Sequence, residues 1–378
     1  MNNPFSSYRS LFPVLSEYVH LASCSQGAIA QPVSQAIEEY HNSLLSSGTN
    51  WKQAILKLEA TREKFAELIN AEPDEIAILT SFSDVLSAVS TCLPYHRTKS
   101  RIVLTDIDFP TVGHVWYAQE QYGANISLIR SLDGILPLEQ YEKEVTERTL
   151  LTCISHVSYY NGYTQNLKEI ADIVHKKGSL LFVDAYQSVG HIPINVKEMN
   201  IDILSTGTRK YMLGIPGVAF LYIKKELAEQ LKPRHTGWFG QGNKTQFDIF
   251  NSTYAPGARR FETGTPSFIS VYAAYEALNL LLDIGINHIH SYLKELAEFT
   301  REFGLQSGLQ ISSPLVTEGT SGITSFYVDN AAEVEERLRE KNILVSARND
   351  VIRIAPHFYN TKDEVGYAIT ELSNLQNS

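Results

Sequence analysis

Residues 180–223 read LLFVDAYQSVGHIPINVKEMNIDILSTGTRKYMLGIPGVAFLYI, and the prediction of the fold starts from them. It contains two apolar runs of strand length, 180–183 and 201–204, each followed by polar residues. Continuous apolar strands are typical of a parallel sheet that is buried on both faces. Ligands bind at the carboxyl ends of such strands. We therefore expect Asp184 and Lys210 side by side at one edge of a sheet, in a site for an anionic, aromatic ligand.

The pattern of strands and helices extends this prediction over most of the chain. Residues 75–223 alternate between apolar runs of strand length and amphipathic helical segments, which predicts a doubly wound α/β domain with a mostly parallel sheet. Residues 309–378 predict a strand near residue 309, three further strands and two helices, and therefore a smaller α+β layer. We place the large domain at 15–265 and the small C-terminal domain at 266–378, together with residues 1–14. A chain of 378 residues suits two packed domains.

Composition and spacing exclude several classes of function. The net charge of −10 argues against a nucleic-acid partner. No apolar run is long enough to span a membrane, and the first residues do not resemble a signal peptide, so we expect a cytoplasmic protein without a membrane partner. No Gly-x-Gly-x-x-Gly motif follows a strand, which disfavours a nicotinamide enzyme. Cys24, Cys92 and Cys153 have no metal spacing, and His288 and His290 do not share a helix face, so no metal is predicted.

Two blocks of sequence carry a resemblance to a known family. The first is DAYQSVGH at 184–191, and the second is the strand, the Ser/Thr/Gly run, the pair Arg209–Lys210 and the glycine loop within 201–221. In this order they resemble the class V aminotransferase family of enzymes that use pyridoxal 5′-phosphate (PLP). The resemblance extends over most of the chain. It implies the fold type I architecture of PLP-dependent transferases and an enzyme that acts on an amino acid.

The resemblance assigns roles around the cofactor ring. Lys210 would hold the PLP aldehyde as a Schiff base and move protons at the substrate, and Asp184 would pair with the pyridine nitrogen. Gln187 would donate a hydrogen bond to the phenolic oxygen of the ring. Phe109 follows the strand at 101–105 and would stack on the ring, where a flat aromatic face excludes water. For Phe109 alone, a position in the core is the alternative.

A second group of residues would hold the phosphate. Ser81, Phe82 and Ser83 precede a helix predicted from about residue 85, and Ser83 matches the phosphate-binding threonine of the family. Taken alone, hydroxyls at this position favour helix capping over phosphate binding. Thr208 or Arg209 would complete the cup. The motif RRFETGTP at 259–266 matches the family and implies that Thr265 reaches the phosphate of a partner subunit in a homodimer.

The C-terminal motif RIAPHFYNT at 353–361 resembles the family's substrate-binding segment. Its Arg353 would bind the α-carboxylate of the substrate, because a guanidinium pairs with a carboxylate through two parallel hydrogen bonds. Arg348 is a second candidate for this role. Either Tyr159 or Asn161 would reach the cofactor or the substrate, although for Tyr159 aromatic packing is the alternative.

The resemblance leaves the reaction open among several fates of the substrate. Cysteine desulfurases of the family need a nucleophilic cysteine on the loop before the carboxylate-binding arginine, and residues 346–350, SARND, contain none. Among the remaining reactions we favour β-elimination from a cysteine derivative by a carbon–sulfur lyase. Transfer of an amino group to a 2-keto acid and kynureninase-like hydrolysis are the alternatives. A ligand-binding protein without turnover is a hypothesis of another class, and the combination of Lys210, Asp184 and Arg353 argues against it.

Overall fold

The computed structural model describes residues 3–96, 98–243, 245–250, 252–315, 319 and 321–377. Within these ranges the strands are β1 Val19–His20, β2 Ile76–Leu79, β3 Arg101–Thr105, β4 Asn125–Ile129, β5 Thr149–Ser155, β6 Leu180–Asp184, β7 Ile203–Gly207, β8 Ala219–Ile223, β9 Thr324–Tyr327, β10 Ile343–Leu344, β11 Ser346–Arg348 and β12 Val351–Ile354. The α-helices are α1 Gln31–Ser47, α2 Trp51–Ile69, α3 Phe82–Cys92, α4 Pro110–Tyr117, α5 Leu138–Glu144, α6 Leu167–Lys176, α7 Lys225–Gln230, α8 Phe268–Ile284, α9 Ile286–Gln306, α10 Ala331–Glu340 and α11 Lys362–Gln376.

A sheet of seven strands forms the centre of the molecule, in the order β2-β8-β7-β6-β5-β3-β4. All neighbouring strands are parallel except for β8, which is antiparallel to both β2 and β7. The register pairs Asp184 of β6 with Ser155 of β5 and with Ser205 of β7. The mostly parallel sheet predicted from the sequence is therefore confirmed, and its carboxyl edge carries Asp184.

Both faces of the central sheet are covered, which explains why its strands are apolar along their whole length. On one face, Phe65 of α2 stacks on Phe220 of β8 with ring centroids 4.0 Å apart. On the other face, Phe82 of α3 contacts Phe182 of β6 edge to face. Burial of aromatic and aliphatic side chains on both sides provides most of the driving force for this layered arrangement.

A second, smaller layer contains the antiparallel sheet β11-β12-β9 and the helices α10 and α11. Ile352 and Ile354 of β12 point into its core, whereas Arg353 lies on the opposite face. β1 from the N-terminal part of the chain pairs in parallel with β10, so both ends of the sequence build this layer. Helix α8 packs against α1 and α2 beside the central sheet. The boundaries 15–265 and 266–378 stay predictions.

Three local predictions differ from the structure. The strand expected at 201–204 is β7, Ile203–Gly207, so the first polar residues belong to the strand rather than follow it. Helix α3 begins at Phe82 rather than near residue 85, because the Ser81 side chain caps it three residues earlier. The strand expected near residue 309 is reduced to a single bridge between Ile311 and Phe326. In the described part of the chain, no single helix meets the length and hydropathy of a membrane span. Only α8 and α9 together do so, and they are bent by 79°.

Candidate active site

A cavity of about 260 Å³ opens at the carboxyl edge of the central sheet. Its walls come from the ends of β2, β3, β5 and β6 and from the loop that follows β7. The predicted site residues among its walls are Ser81, Phe82, Ser83, Phe109, Tyr159, Asp184, Gln187, Arg209 and Lys210. The structure thus brings together residues that are spread over 130 positions of sequence, because parallel strands end at the same edge of the sheet.

Asp184 and Lys210 are two buried, oppositely charged groups without a salt bridge. The Asp184 Oδ1 accepts a hydrogen bond from the backbone N–H of Tyr186 at 2.9 Å. Burial raises the pKa of Asp184 to about 6, while the Tyr186 N–H and Lys210 act in the opposite direction. Burial lowers the pKa of Lys210 to about 7; Asp184 opposes this shift and Arg353 adds to it. Lys210 therefore has a larger neutral fraction at neutral pH than an exposed lysine.

Aromatic rings surround the Lys210 amine. Its Nζ lies 4.4 Å from the ring centroid of Tyr186 and 5.8 Å from that of Phe109. Gly207 provides the space for the Tyr186 ring, because a Cβ at residue 207 would lie 2.3 Å from the Tyr186 hydroxyl. Tyr186 was not among the predicted site residues, although it occupies the variable position inside the DAYQ motif. The other cavity walls that the sequence did not predict are Thr80, Thr111, Ser155, Val157, Pro216, Gly217 and Val218.

The loop at 23–27 packs against the backbone of the segment that contains Lys210. The Gly27 N–H donates to the Arg209 carbonyl at 2.8 Å, and a Cβ at residue 27 would lie 2.4 Å from the Lys210 carbonyl oxygen. Gly190 is similarly close, since its Cβ would meet the Tyr211 carbonyl at 2.2 Å and its φ is +101°. Only glycine permits both close approaches. These contacts fix the backbone that presents Lys210 to the cavity.

The N-terminus of α3 forms one end of the cavity. The Ser81 Oγ accepts the Asp84 N–H at 3.1 Å, and the Ser83 hydroxyl lies 3.4 Å from that of Thr111. Ser81 therefore caps the helix and lines the cavity at the same time, so capping and phosphate binding are compatible here. Helix N-termini attract anions through their free N–H groups. Arg209 adds a fixed positive charge to the walls of this cavity.

Two predicted phosphate ligands lie outside the cavity of their own chain. The Thr208 hydroxyl donates to the Ile215 carbonyl at 2.5 Å, and its side chain is buried away from the cavity walls. Thr265 is exposed, four residues after the 3₁₀-helical segment Gly257–Phe261. Of these two alternatives Arg209 lines the cavity, and its role as a phosphate ligand stays a prediction. The predicted role of Thr265 concerns a partner subunit and stays a prediction.

Gln187 shows an arrangement that the sequence did not predict. Its Nε2 donates to the Cys24 carbonyl at 3.0 Å, while its Oε1 is buried and has no hydrogen-bond partner. The atom left for a ligand is thus an acceptor. A donor role toward a phenolic oxygen requires the amide to rotate and to give up the Cys24 carbonyl. A buried polar atom without a partner is costly in free energy, which indicates that a ligand completes this wall.

Tyr159 lines the cavity, and the predicted substrate ligand Arg353, which is not among the cavity walls, connects Tyr159 to the small layer. Arg353 is 1% exposed, and its Nη1 donates to the Tyr159 carbonyl at 2.7 Å. Its Nη2 donates to the Ser346 hydroxyl at 2.6 Å. The Tyr159 ring contacts Phe109 edge to face at 5.2 Å. By contrast, the Asn161 amide donates to the Gly134 carbonyl at 2.8 Å, so of the two alternatives it is Tyr159 that reaches the cavity.

The donor set fits PLP and offers no metal centre. The cavity combines a buried carboxylate for a ring nitrogen, an amine for an aldehyde, aromatic walls, and a cation beside a helix N-terminus for a phosphate. The orphaned Gln187 Oε1 lies in the same wall. Among the residues that the structure describes, no cluster of three or more His, Cys, Asp or Glu side chains could hold a metal ion.

Comparison with known proteins agrees with this interpretation. The sequence profile described as aminotransferase class-V matches residues 19–367. A protein of Bacillus subtilis named "uncharacterized aminotransferase YcbU" is 51% identical over 97% of this chain and 96% of its own length. A probable cysteine desulfurase of Pyrococcus abyssi is 27% identical over 98% of this chain and 97% of its own length.

Solved structures show the same fold. The apo cysteine desulfurase of Thermococcus onnurineus is 23% identical, with a TM-score of 0.90 and coverage of 100% of this chain and 99% of the other. A C-DES variant with glycine covalently linked to its PLP cofactor is 20% identical, with a TM-score of 0.89 and coverage of 97% and 99%. At these identities the likeness concerns the fold alone, and it confirms the predicted fold type I architecture.

Proposed function

Because this chain belongs to the class V aminotransferase family and is a PLP-dependent enzyme, we propose that it eliminates the sulfur substituent of a cysteine derivative. The observation that carries the proposal is the pair Asp184 and Lys210, buried together at the edge of the sheet without a salt bridge. A lysine whose pKa is lowered toward neutrality can accept a proton from the substrate Cα and return it later.

The residues around the cavity have distinct tasks in this proposal. Bound PLP supplies an electron sink for the negative charge that develops at the substrate Cα. Asp184 keeps the ring nitrogen protonated, and Lys210 takes the Cα proton. Arg209 and the N-terminus of α3 hold the phosphate. Phe109 and Tyr186 exclude water from the ring faces.

Arg353 is suited to bind the substrate carboxylate even though it is buried. Three of its N–H groups donate to the Tyr159 carbonyl and to the Ser346 carbonyl and hydroxyl. A guanidinium carries five such groups, so two remain, one on each terminal nitrogen. Two neighbouring N–H groups are what a carboxylate needs for bidentate binding. The existing contacts hold the guanidinium in place for this purpose.

The hairpin before Arg353 supports elimination rather than desulfuration. Relatives named as probable cysteine desulfurases match nearly the whole chain, which suggests a sulfur-containing amino acid as substrate. The hairpin of β11 and β12 contains no thiol that could attack the sulfur, and the buried Cys24 is not among the cavity walls. The sulfur then leaves with the electrons of its bond to Cβ. The sulfur-substituted cysteine and one water yield a thiol, pyruvate and ammonium.

The name of the Bacillus subtilis relative supports transamination as a second candidate. The two reactions differ in their products. The experiment incubates the PLP-loaded protein with S-methylcysteine, first without and then with a 2-keto acid, and measures pyruvate and methanethiol. Elimination predicts continuous formation of both products without keto acid and an about 10³-fold loss of rate in Lys210→Ala. Amino-acid consumption that depends on the keto acid, without thiol release, would show transamination instead.

We also propose that the active form is a homodimer in which Thr265 contacts the phosphate held by the partner subunit. The exposure of Thr265 and its position outside the cavity of its own chain support this arrangement. The preceding segment is anchored by Glu262, whose carboxylate forms an ion pair with the buried Arg62 at 2.7 Å. This ion pair fixes the backbone three residues before the exposed Thr265.

A further inference from the structure

The hairpin of β11 and β12 carries two arginines on the same face. Its antiparallel register pairs Ser346 with Arg353 and Arg348 with Val351. Arg348 therefore lies two residues from the partner of Arg353 and is its diagonal neighbour. Diagonal neighbours are about 7–8 Å apart at the backbone, within reach of long side chains. Asn349, with a φ of +47°, forms the tight turn that keeps the two strands in this register.

This face of the hairpin is directed toward the cavity side of the molecule. The opposite face, with Val345, Ile352 and Ile354, packs into the core of the small layer. On the arginine face, Arg353 donates to the Tyr159 carbonyl, and Ser325 of the neighbouring β9 donates to the Tyr160 carbonyl at 2.7 Å. Both arginines thus lie on the face that meets the loop of Tyr159. Tyr159 itself lines the cavity, whereas neither arginine is among its walls.

Arg348 is not neutralised by a salt bridge. Its Nη1 donates to the Ala347 carbonyl at 2.9 Å, and it has no ion pair with any carboxylate in the described ranges. The nearby Glu335 carboxylate accepts the Ala347 N–H at 3.2 Å. Burial lowers the pKa of Arg348 and the charge of Arg353 lowers it further, while Cys24, Glu335 and Tyr159 act in the opposite direction. Two like charges on one face of a hairpin repel, and an anion between them would remove this cost.

We propose that Arg348 and Arg353 together bind a substrate with two acid groups. Arg353 takes the α-carboxylate, and Arg348 takes a second acid group on the side chain or on the sulfur substituent. Charge-assisted hydrogen bonds from arginine are stronger than neutral ones and favour such a substrate over a neutral analogue. The inference rests on the proposed function for the orientation of the amino acid. It adds the chemical class of the substrate, an acidic amino acid or an acid-bearing cysteine conjugate.

A binding experiment tests the arginine pair without any turnover. The PLP-loaded protein is titrated by calorimetry with succinate, which has two carboxylates, and with butyrate, which has one on a chain of the same length. We expect succinate to bind about 10-fold or more tightly, and Arg348→Gln to remove most of this preference. Arg339→Gln, which changes an exposed arginine of α10, should keep it. Equal binding of both acids, or a preference that Arg348→Gln leaves intact, would overturn the inference.

A kinetic experiment identifies the acid group. S-carboxymethylcysteine, S-sulfocysteine and S-methylcysteine are compared by kcat/KM in the wild type, Arg348→Gln and Arg339→Gln. The inference predicts that an acidic compound is favoured over S-methylcysteine and that Arg348→Gln lowers this ratio about 10-fold, mainly through KM. The compound whose ratio falls identifies the acid as a carboxylate or a sulfonate. Succinate preference that depends on Arg348 without any turnover would support the arginine pair and contradict the proposed elimination.

Discussion

Two clusters of charged side chains, each with a buried centre, differ in how completely their charges are paired. The first cluster lies between α2, β2 and the segment 257–262. Its members are Glu59, Arg62, Arg259 and Glu262. The Arg62 guanidinium pairs with Glu262 at 2.7 Å and with Glu59 at 3.2 Å, and Arg259 also pairs with Glu59. The other cluster is the cavity, where Asp184 and Lys210 form no ion pair with the residues that the structure describes.

In the cluster of Arg62, backbone groups complete the pairing. Arg62 also donates to the Ile76 carbonyl at 2.6 Å, and Glu262 accepts the Ile78 N–H at 3.0 Å. Burial acts to raise the pKa of Glu59, but Arg62 and Arg259 outweigh it, so the pKa is lower than usual. In the cavity, by contrast, burial dominates and shifts the pKa values of Asp184 and Lys210 toward each other. Complete pairing indicates a structural role, and incomplete pairing indicates a place for a ligand.

The largest expected effect tests whether each cavity needs Thr265 from the other chain of a dimer. Lys210→Ala and Thr265→Ala chains with different tags are co-expressed, and the mixed dimers are purified and assayed at limiting PLP. In a mixed dimer, one site combines the intact Lys210 of the Thr265→Ala chain with the intact Thr265 of the Lys210→Ala chain, and the other site lacks both residues. We therefore expect about half of the wild-type activity. The Lys210→Ala homodimer should be about 10³-fold less active. Mixed dimers no more active than the Thr265→Ala homodimer would contradict a shared site.

The second effect tests the fully paired cluster. Arg62→Met leaves Glu262 buried without its cation, and we expect the free energy of unfolding to fall by about 3–5 kcal/mol. Urea denaturation of the PLP-loaded protein measures this change. Lys168→Met is the control, because it breaks an exposed pair with Asp172 and should cost less than about 1 kcal/mol. A similar loss of unfolding free energy in both variants would show that the buried ion pairs of Arg62 do not stabilise the fold more than an exposed pair does.

The third and smallest effect concerns the pH dependence of the PLP-free protein. The pKa of Lys210 is about 7 in the folded chain and near its ordinary 10.5 in the unfolded chain. Between these values the unfolded chain binds more protons, so the contribution of Lys210 to stability rises with pH. Lys210→Met should therefore reduce the slope of the unfolding free energy between pH 8 and 10 by at most about 1.4 kcal/mol per unit. Lys168→Met should keep the slope, and an unchanged slope in Lys210→Met would refute the low pKa.

Much of the fold follows from local patterns in the sequence. The strand β3 agrees with the predicted bounds 101–105, since a short continuous apolar run followed by polar residues indicates a buried strand. The start of α3 was missed by three residues, because the cap depends on which hydroxyl accepts a backbone N–H. The prediction of a strand near residue 309 was wrong, because a short apolar run forms a strand only when a neighbouring strand pairs with it.

The sequence alone determined the central sheet and the family, and it placed Asp184 and Lys210 at one edge of that sheet, because strand ends and contiguous motifs are local features. Only the tertiary structure decided which atoms around them remain free. It directs the Gln187 amide toward the Cys24 carbonyl, places the Tyr186 ring beside Lys210, and sets Arg348 and Arg353 on one face. These outcomes depend on rotamers, strand register and contacts between segments far apart in the chain, and no local period encodes them.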